Sequence, residues 1–396
     1  MRTPPSTPSN PGISLERDAK GRIIRRVLNL GKNPEVRRYA YDSAGRLARV
    51  TDESGALCES YQYDGEGRRL ADINPQRSRG ERRYSYAAGN RLSQAGRAQY
   101  RHDKAGFRCL KIEDGQETRF QYEPSGLLLA AELPDGKRIE CAHDSSGMRR
   151  EKRVDGRLVE AYRWLDPLRL LEFFDGSQWW RLVYDFEQGR GRAPLGVTNG
   201  NESFLILSDH LGTPLALANP DGGVVQAIQY DSFGNLLAVA GDVVRLPLGF
   251  AGGLFDADTG LTRFVWRDYD ADTGRFTALD PLGAKGGDSD WYGYCVDDPV
   301  NRADAWGLES TSEGQRDGSY EDCMSSTRWW NRQCKQAAEL AGNIVGEKWP
   351  LRGWGVGEAG DWFCKQVYGG KKERWEDEYG GQRKAPDTDS PPSASD

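Results

Sequence analysis

The sequence predicts a mainly β fold, with β-hairpins stacked into one long sheet and a small α-rich or α+β C-terminal domain after it. Three observations predict it. A Tyr-Asp-x-x-Gly pattern returns about every twenty residues from Tyr41 onward. Glycine reaches 48 residues, and Tyr (17) and Trp (12) outnumber Met (3), a mix that suits sheet and turns better than helix bundles. The pattern stops near Leu308, and from Glu309 to Asp396 the texture is different.

In chain order, MRTPPSTPSNPGIS has no apolar segment of a secretory signal, and residues 1–17 read as a flexible N-terminal arm. Residues 18–240 carry the repeat. Its equivalent positions are Tyr41, Tyr63, Tyr86, His102, Tyr122, His143 and Trp164, spaced 16 to 23 residues apart. Alternation such as Tyr39-Ala40-Tyr41 marks a half-buried strand. Asp-x-x-Gly then supplies a turn, because Asp bonds nearby backbone N–H groups and Gly accepts positive φ. The Arg-Leu that follows opens the return strand. A single hairpin cannot bury its apolar face, so the units must stack.

Tyr-Asp-x-x-Gly-Arg-Leu at this period resembles the YD repeat of Rhs proteins and of the related insecticidal toxin C subunits and teneurins. The segments SDHLGTPLALANPDG (208–222) and YDSFGNLL (230–237) are similar to the same family. The block GFAGGLFDADTGLTRFVWRDYDADTGRFTALDPLGAKGGD resembles the Rhs-associated core. The resemblance covers about residues 18–308. It implies a spiralling β-shell over 18–240 and a core over 241–308 that plugs one end. At about 16 Å² per residue the roughly 290 residues of 18–308, even if all strand, supply about 4,700 Å², short of the about 5,500 Å² needed to wrap a folded 309–396. An open or partial shell is therefore expected.

Asp280-Pro281 and Asp298-Pro299 lie in the stretch that closes the core. Read from the residues alone, these are turn formers or an acid pair. Two carboxylates in one low-dielectric pocket cannot both ionise, so one can serve as acid and the other as base toward water. Asp288, Asp290 and Asp297 are open to the turn reading as well. The resemblance implies that Asp280 and Asp298 are an aspartyl-protease pair. It also implies a cut after the Leu of a D-P-x-G-L motif. Here that motif reads Asp304-Ala305-Trp306-Gly307-Leu308, which sets the cut at Leu308/Glu309. Ala305 replaces the usual Pro, and its looser backbone would slow the reaction without touching the acids. Arg275 is a candidate to hold one carboxylate ionised; a solvated strand residue is the plainer alternative.

Asp256-Ala-Asp258-Thr-Gly260 and Asp270-Ala-Asp272-Thr-Gly274 have part of a calcium-loop pattern but lack its closing Glu, and they read as hairpin turns. The three histidines, His102, His143 and His210, have no metal-ligand spacing, so no metal and no cofactor is expected. The seven cysteines read as reduced thiols.

Beyond Leu308, Glu321 to Gly346 has helical texture, and APDTDSPPSASD reads as a tail over 385–396. Half of the tryptophans are here, Trp329, Trp330, Trp349, Trp354, Trp362 and Trp375. They suit membrane contact, and a small protein core equally well. The balance of 12 basic against 16 acidic residues, like the −6 of the whole chain, argues against nucleic acid as a partner. By resemblance, residues 309–384 hold the position of a toxin that is delivered to a neighbouring cell. A cognate immunity protein and a secretion-machinery tip protein would be its partners. The contrasting expectations are a non-cleaving surface or interaction protein, and an orphan fragment with an inactive tail. No apolar run approaches the length of a transmembrane helix.

Overall fold

The computed structural model describes residues 11–308, except 32, 78 and 185–191, and the backbone of 311–312. These belong to one compact unit, Met1–Tyr320; the second, Glu321–Asp396, lies outside the described residues. The effector and tail expectations therefore fall outside them as well.

The fold is mainly β. Twenty-two strands from Gly12–Arg17 to Leu236–Ala240 form one antiparallel sheet in which every strand pairs with its neighbours in the chain. Residues 12–17, assigned to the flexible arm in the sequence reading, are the first strand. Gly12 pairs with Asn29 and Leu15 with Arg26. Alternation places Leu15 against the apolar cluster of Ile23, Tyr39, Leu47 and Tyr61, which gives this segment a partly buried face.

Each part of the repeat has its own bond. Asp42 Oδ1 accepts the N–H groups of Ala44 and Arg46, both at 2.9 Å, and Asp64 does the same for Glu66 and Arg68. Gly45 follows at φ +89°, a conformation that favours glycine. The turn's Arg binds back to the Asp, with Arg46 Nε 2.7 Å from Asp42 Oδ2. Its guanidinium lies over the tyrosine of the next unit, Arg22 over Tyr41 at 4.6 Å and Arg46 over Tyr63 at 4.7 Å. The tyrosine hydroxyl donates across the sheet to a backbone carbonyl. Tyr41 reaches Ile23, Tyr63 reaches Leu47 and Tyr86 reaches Arg69, at 2.6, 2.9 and 2.8 Å. Trp164 takes the same part with its indole N–H, 2.8 Å from the Arg149 carbonyl. The motif is thus a set of stitches between consecutive hairpins.

His102 and His143 lie on strands at the tyrosine positions. Burial, then nearby arginines, pushes each down to about 3, so both are neutral.

The core begins after Ala240. Four short strands, Leu254–Asp256, Leu261–Arg263, Asp268–Asp270 and Arg275–Phe276, form a second antiparallel sheet. Phe264, Tyr269, Phe276 and Tyr294 pack within it as a buried aromatic cluster. This core meets the large sheet through buried ion pairs. Lys152 Nζ is 2.7 Å from Asp256 and 2.6 Å from Asp258, Arg108 binds Asp270, and Arg82 binds Asp272. The two Asp-x-Asp-x-Gly segments are hairpin turns whose first carboxylates are taken up by these cations. Among the described residues, no group of three His, Cys, Asp or Glu side chains could hold a metal. No helix among them is long and apolar enough to cross a membrane.

Candidate active site

Asp280 follows the last strand of the small sheet. Its N–H donates to the Trp291 carbonyl (2.8 Å), and its Oδ1 accepts the Leu282 N–H (2.7 Å). Burial pushes its carboxyl up to about 6 against the pull of Arg267, and Asp304 and Asp288 add repulsion. Asp280 therefore holds a proton to higher pH than an ordinary carboxyl.

Arg267 was not legible as a site residue. Its Nη2 is 2.9 Å from Asp280 Oδ2 and 3.3 Å from Asp304 Oδ2, so one nitrogen bridges both carboxylates. Its Nε donates to the Gly307 carbonyl and its Nη1 to that of Trp291.

The motif before the expected cut is clamped. Asp304 Oδ1 accepts the Leu308 N–H at 2.9 Å, and the Trp306 carbonyl accepts the Trp266 N–H at 2.9 Å. Gly307 has φ +71°, and a Cβ there would lie 3.0 Å from the Arg267 backbone nitrogen, so the position favours glycine on two counts. Leu308 is buried. Its carbonyl oxygen and Asp280 Oδ2 converge on Gly286, at 3.0 and 2.7 Å from where a Cβ on that glycine would stand. Glu309 lies outside the described residues.

Asp298 keeps other company. Its Oδ1 accepts the Asn301 amide at 2.8 Å and the Asn301 N–H at 3.4 Å. Asn301 in turn binds Tyr41 and the Ile23 N–H, which ties Asp298 to the first hairpins of the sheet. Burial raises the Asp298 carboxyl and Asn301 lowers it, with a net rise. Cys295, Val296 and Asp297 precede it at φ 54°, 52° and 55°. Such consecutive left-handed residues cost about 1–3 kcal/mol each and are held only by surrounding structure. Asp297 is pushed up to about 8 by burial, against Arg69, with Asp288 and Asp290 adding repulsion.

Arg275 does not support Asp280. It forms a two-point ion pair with Asp290, donates to the Asn90 carbonyl and stacks on Tyr86 at 5.0 Å. Arg275 is a buried residue paired with the carboxylate of Asp290, and the cation at Asp280 is Arg267. The structure brings together Asp280, Asp304, Gly307 and Leu308; Asp298 is bound to Asn301, and Arg275 stands with Asp290.

Comparison with known proteins agrees with this architecture. The family model described as the teneurin YD-shell matches residues 11–285. Teneurin-3 of Danio rerio is 31% identical over 276 residues, 68% of this chain and 10% of its own length. The "Probable deoxyribonuclease RhsB" of Dickeya dadantii is 28% identical over 320 residues, 71% of this chain and 21% of its own length. Among solved structures, TcdB2-TccC3 aligns over 75% of this chain and 22% of its own, at 14% identity and a TM-score of 0.32. The chain thus spans about a tenth of the teneurins it matches and a fifth of the Rhs relative. Because the family model matches well over half of the sequence, this chain belongs to the YD-shell family, as an Rhs/YD-repeat protein related to teneurins.

Proposed function

We propose that the chain is part of a toxin-related Rhs protein whose core cuts its own backbone between Leu308 and Glu309 and frees a C-terminal effector. In this reading 18–240 are shell, 241–308 core, 309–384 effector and 385–396 tail. One observation carries it: a buried carboxyl raised to about 6, Asp280, converges with the Leu308 carbonyl oxygen on the same glycine.

The chemistry is hydrolysis by an acid pair. Protonated Asp280 donates to the Leu308 carbonyl oxygen as a water oxygen attacks the carbonyl carbon. The second carboxylate, Asp298, takes a proton from that water. The carbon–nitrogen bond then breaks as Asp298 passes that proton to the Glu309 nitrogen, which leaves as an amine, and the new carboxyl returns the other proton to Asp280.

The partners of this reading are an immunity protein for 309–384 in the producing cell and a tip protein of a secretion machine. The protein would be made in the cytoplasm and delivered to a competitor. A second reading, a non-cleaving interaction protein like a teneurin surface, is favoured by the engagement of Asp298 with Asn301 and by Ala305 in the motif.

Intact mass of the wild type beside Asp280→Asn and Asp298→Asn tests the proposal. A fragment beginning at Glu309 in the wild type alone is the expected result. An uncut chain in all three refutes self-cleavage, and a cut Asp298→Asn chain removes Asp298 from the mechanism.

A further inference from the structure

We infer that a cavity between the large sheet and the core, walled by Arg149, Arg192 and Arg263, is a binding site for a small tetrahedral oxyanion such as inorganic phosphate. The inference is independent of the self-cleaving reading, because neither Asp280 nor Asp298 lines this cavity.

The cavity has a volume of about 40 Å³. A single water needs about 10–15 Å³, so this space takes roughly three waters or one compact oxyanion. It lies where separate parts of the fold meet. Arg149 and Trp164 come from the large sheet, Arg263 and Val265 from the core, Arg192 from the segment that leads into Gly196–Thr198, and Ala305 from the motif before the expected cut. Among the described residues that line it, three are arginines and none is an acid.

Two of these arginines keep a buried donor unused. Arg149 and Arg263 are only 3% and 7% exposed. Arg149 Nη1 is 3.4 Å from Asp256 and its Nη2 3.8 Å from Asp268, while its Nε is buried with no partner among the described residues. Arg263 Nη1 donates to the Gly126 carbonyl and to Asp268, each at 3.0 Å, and its Nη2 is likewise unpartnered. Asp268 is shared by both arginines, and Asp256 is divided between Arg149 and Lys152. The two arginines therefore have less than one carboxylate each, and a positive field remains on the cavity side. His143 feels that field: burial, then Arg149 and Arg263, hold its ring neutral.

An unmade bond from a buried cation is costly, and an anion in the cavity would relieve both arginines at once. Guanidinium forks match the oxygen edges of phosphate. Three of them arriving from separate elements suit a multiply charged tetrahedron better than a planar monoanion. Ala305 sets the room available. The usual residue of its motif is Pro, and a larger side chain at this wall would shrink the cavity.

The test is isothermal titration calorimetry of the full-length chain with inorganic phosphate, phosphoserine or acetate at constant ionic strength. Wild type is compared with Arg192→Gln, Ala305→Leu and Arg245→Gln. Arg192 is only half-buried, so its loss leaves the core ion pairs in place, and Ala305→Leu fills the cavity without removing a charge. The Arg245 side chain is 56% exposed, pairs with Glu160 and does not line the cavity, so its variant controls for general attraction to arginine. One phosphate per chain is expected, bound about tenfold or more weakly by Arg192→Gln and Ala305→Leu and equally well by Arg245→Gln. Phosphate should also raise the unfolding midpoint of wild type and Arg245→Gln more than that of the two cavity variants. Those two act by different means, so either one that folds decides the outcome. Inorganic phosphate binding alone identifies a free ion as the ligand, whereas phosphoserine binding as well identifies a phosphoryl group carried on a larger molecule. No saturable binding to the wild type, the result a water-filled cavity would give, overturns the inference. So does phosphate binding that both cavity variants leave unchanged, or acetate bound as tightly as phosphate.

Discussion

Replacing Lys152 with Met should loosen the core from the large sheet. Lys152 is fully buried, with Asp256 at 2.7 Å, Asp258 at 2.6 Å and Glu160 at 3.9 Å. Without the ammonium, Asp258 at 33% side-chain exposure can rehydrate, but Asp256 at 2% keeps Arg149 at 3.4 Å as its cation, with the N–H groups of Asp258 and Thr259. Removing one partner of a buried pair costs about 3–5 kcal/mol, and the remaining Arg149 contact argues for the lower end. At about 2 °C per kcal/mol for a unit of this size, the midpoint of thermal unfolding should fall by about 6 °C. The assay is differential scanning calorimetry at pH 7, with parent and variant both carrying Asp280→Asn so that the proposed cut is disabled in each. Its pH dependence has a defined sign. Burial raises Asp256, but Lys152 and Arg149 outweigh it, and its carboxyl is held below the ordinary range in the fold. That contribution is fully present above the ordinary carboxylate pKa and is lost as pH falls through the depressed folded value. The gap between parent and variant should therefore narrow on acidification to pH 3. A midpoint within 2 °C of the parent, or a gap that does not change with pH, would refute the idea that this pair holds the core.

Two further predictions concern glycines. Gly286→Ala would place a methyl group 2.7 Å from Asp280 Oδ2 and 3.0 Å from the Leu308 oxygen, so release of the fragment should slow by about tenfold or more while the unfolding midpoint barely moves. Gly234→Ala would drive a Cβ to within 2.2 Å of the Phe250 side chain at φ +89°, whereas Gly45→Ala at the same φ meets nothing within 4 Å. Denaturant titration should give about 1–2 kcal/mol for Gly45→Ala, the left-handed backbone cost alone, and clearly more for Gly234→Ala.

Much of the large sheet was legible because the repeat acts at short range. Asp42 bonds Ala44 and Arg46, and the tyrosines reach back by one hairpin, so each contact leaves a mark within a window of about twenty residues. The first strand was missed because Gly12–Arg17 lacks the Tyr-Asp signature and is recognisable only by its partner, Ile23–Asn29. The site was half legible. Asp280, Asp304, Gly307 and Leu308 converge, and their motifs announced them. Arg267 did not, since its partners come from 13 to 40 residues away and nothing local distinguishes it from other turn arginines. Arg275 was a fair guess from proximity in sequence, but strand geometry points its side chain to Asp290. Asp298 shows the limit of spacing as a guide: its neighbours were decided by Asn301, three residues on, and by Tyr41 in the first part of the chain.

The buried cations that meet the core come from strands well separated along the sheet: Arg82 from Arg79–Ala87, Arg108 from Arg108–Glu113 and Lys152 from Arg149–Val154. Their acids, Asp272, Asp270 and Asp256, run in the opposite order along the chain. The core therefore reads the sheet like a key cut against a row of pins. Insertion or loss of one hairpin between those strands would leave every local stitch intact yet shift the pins out of step. Repeat number in this part of the molecule is thus constrained by the core.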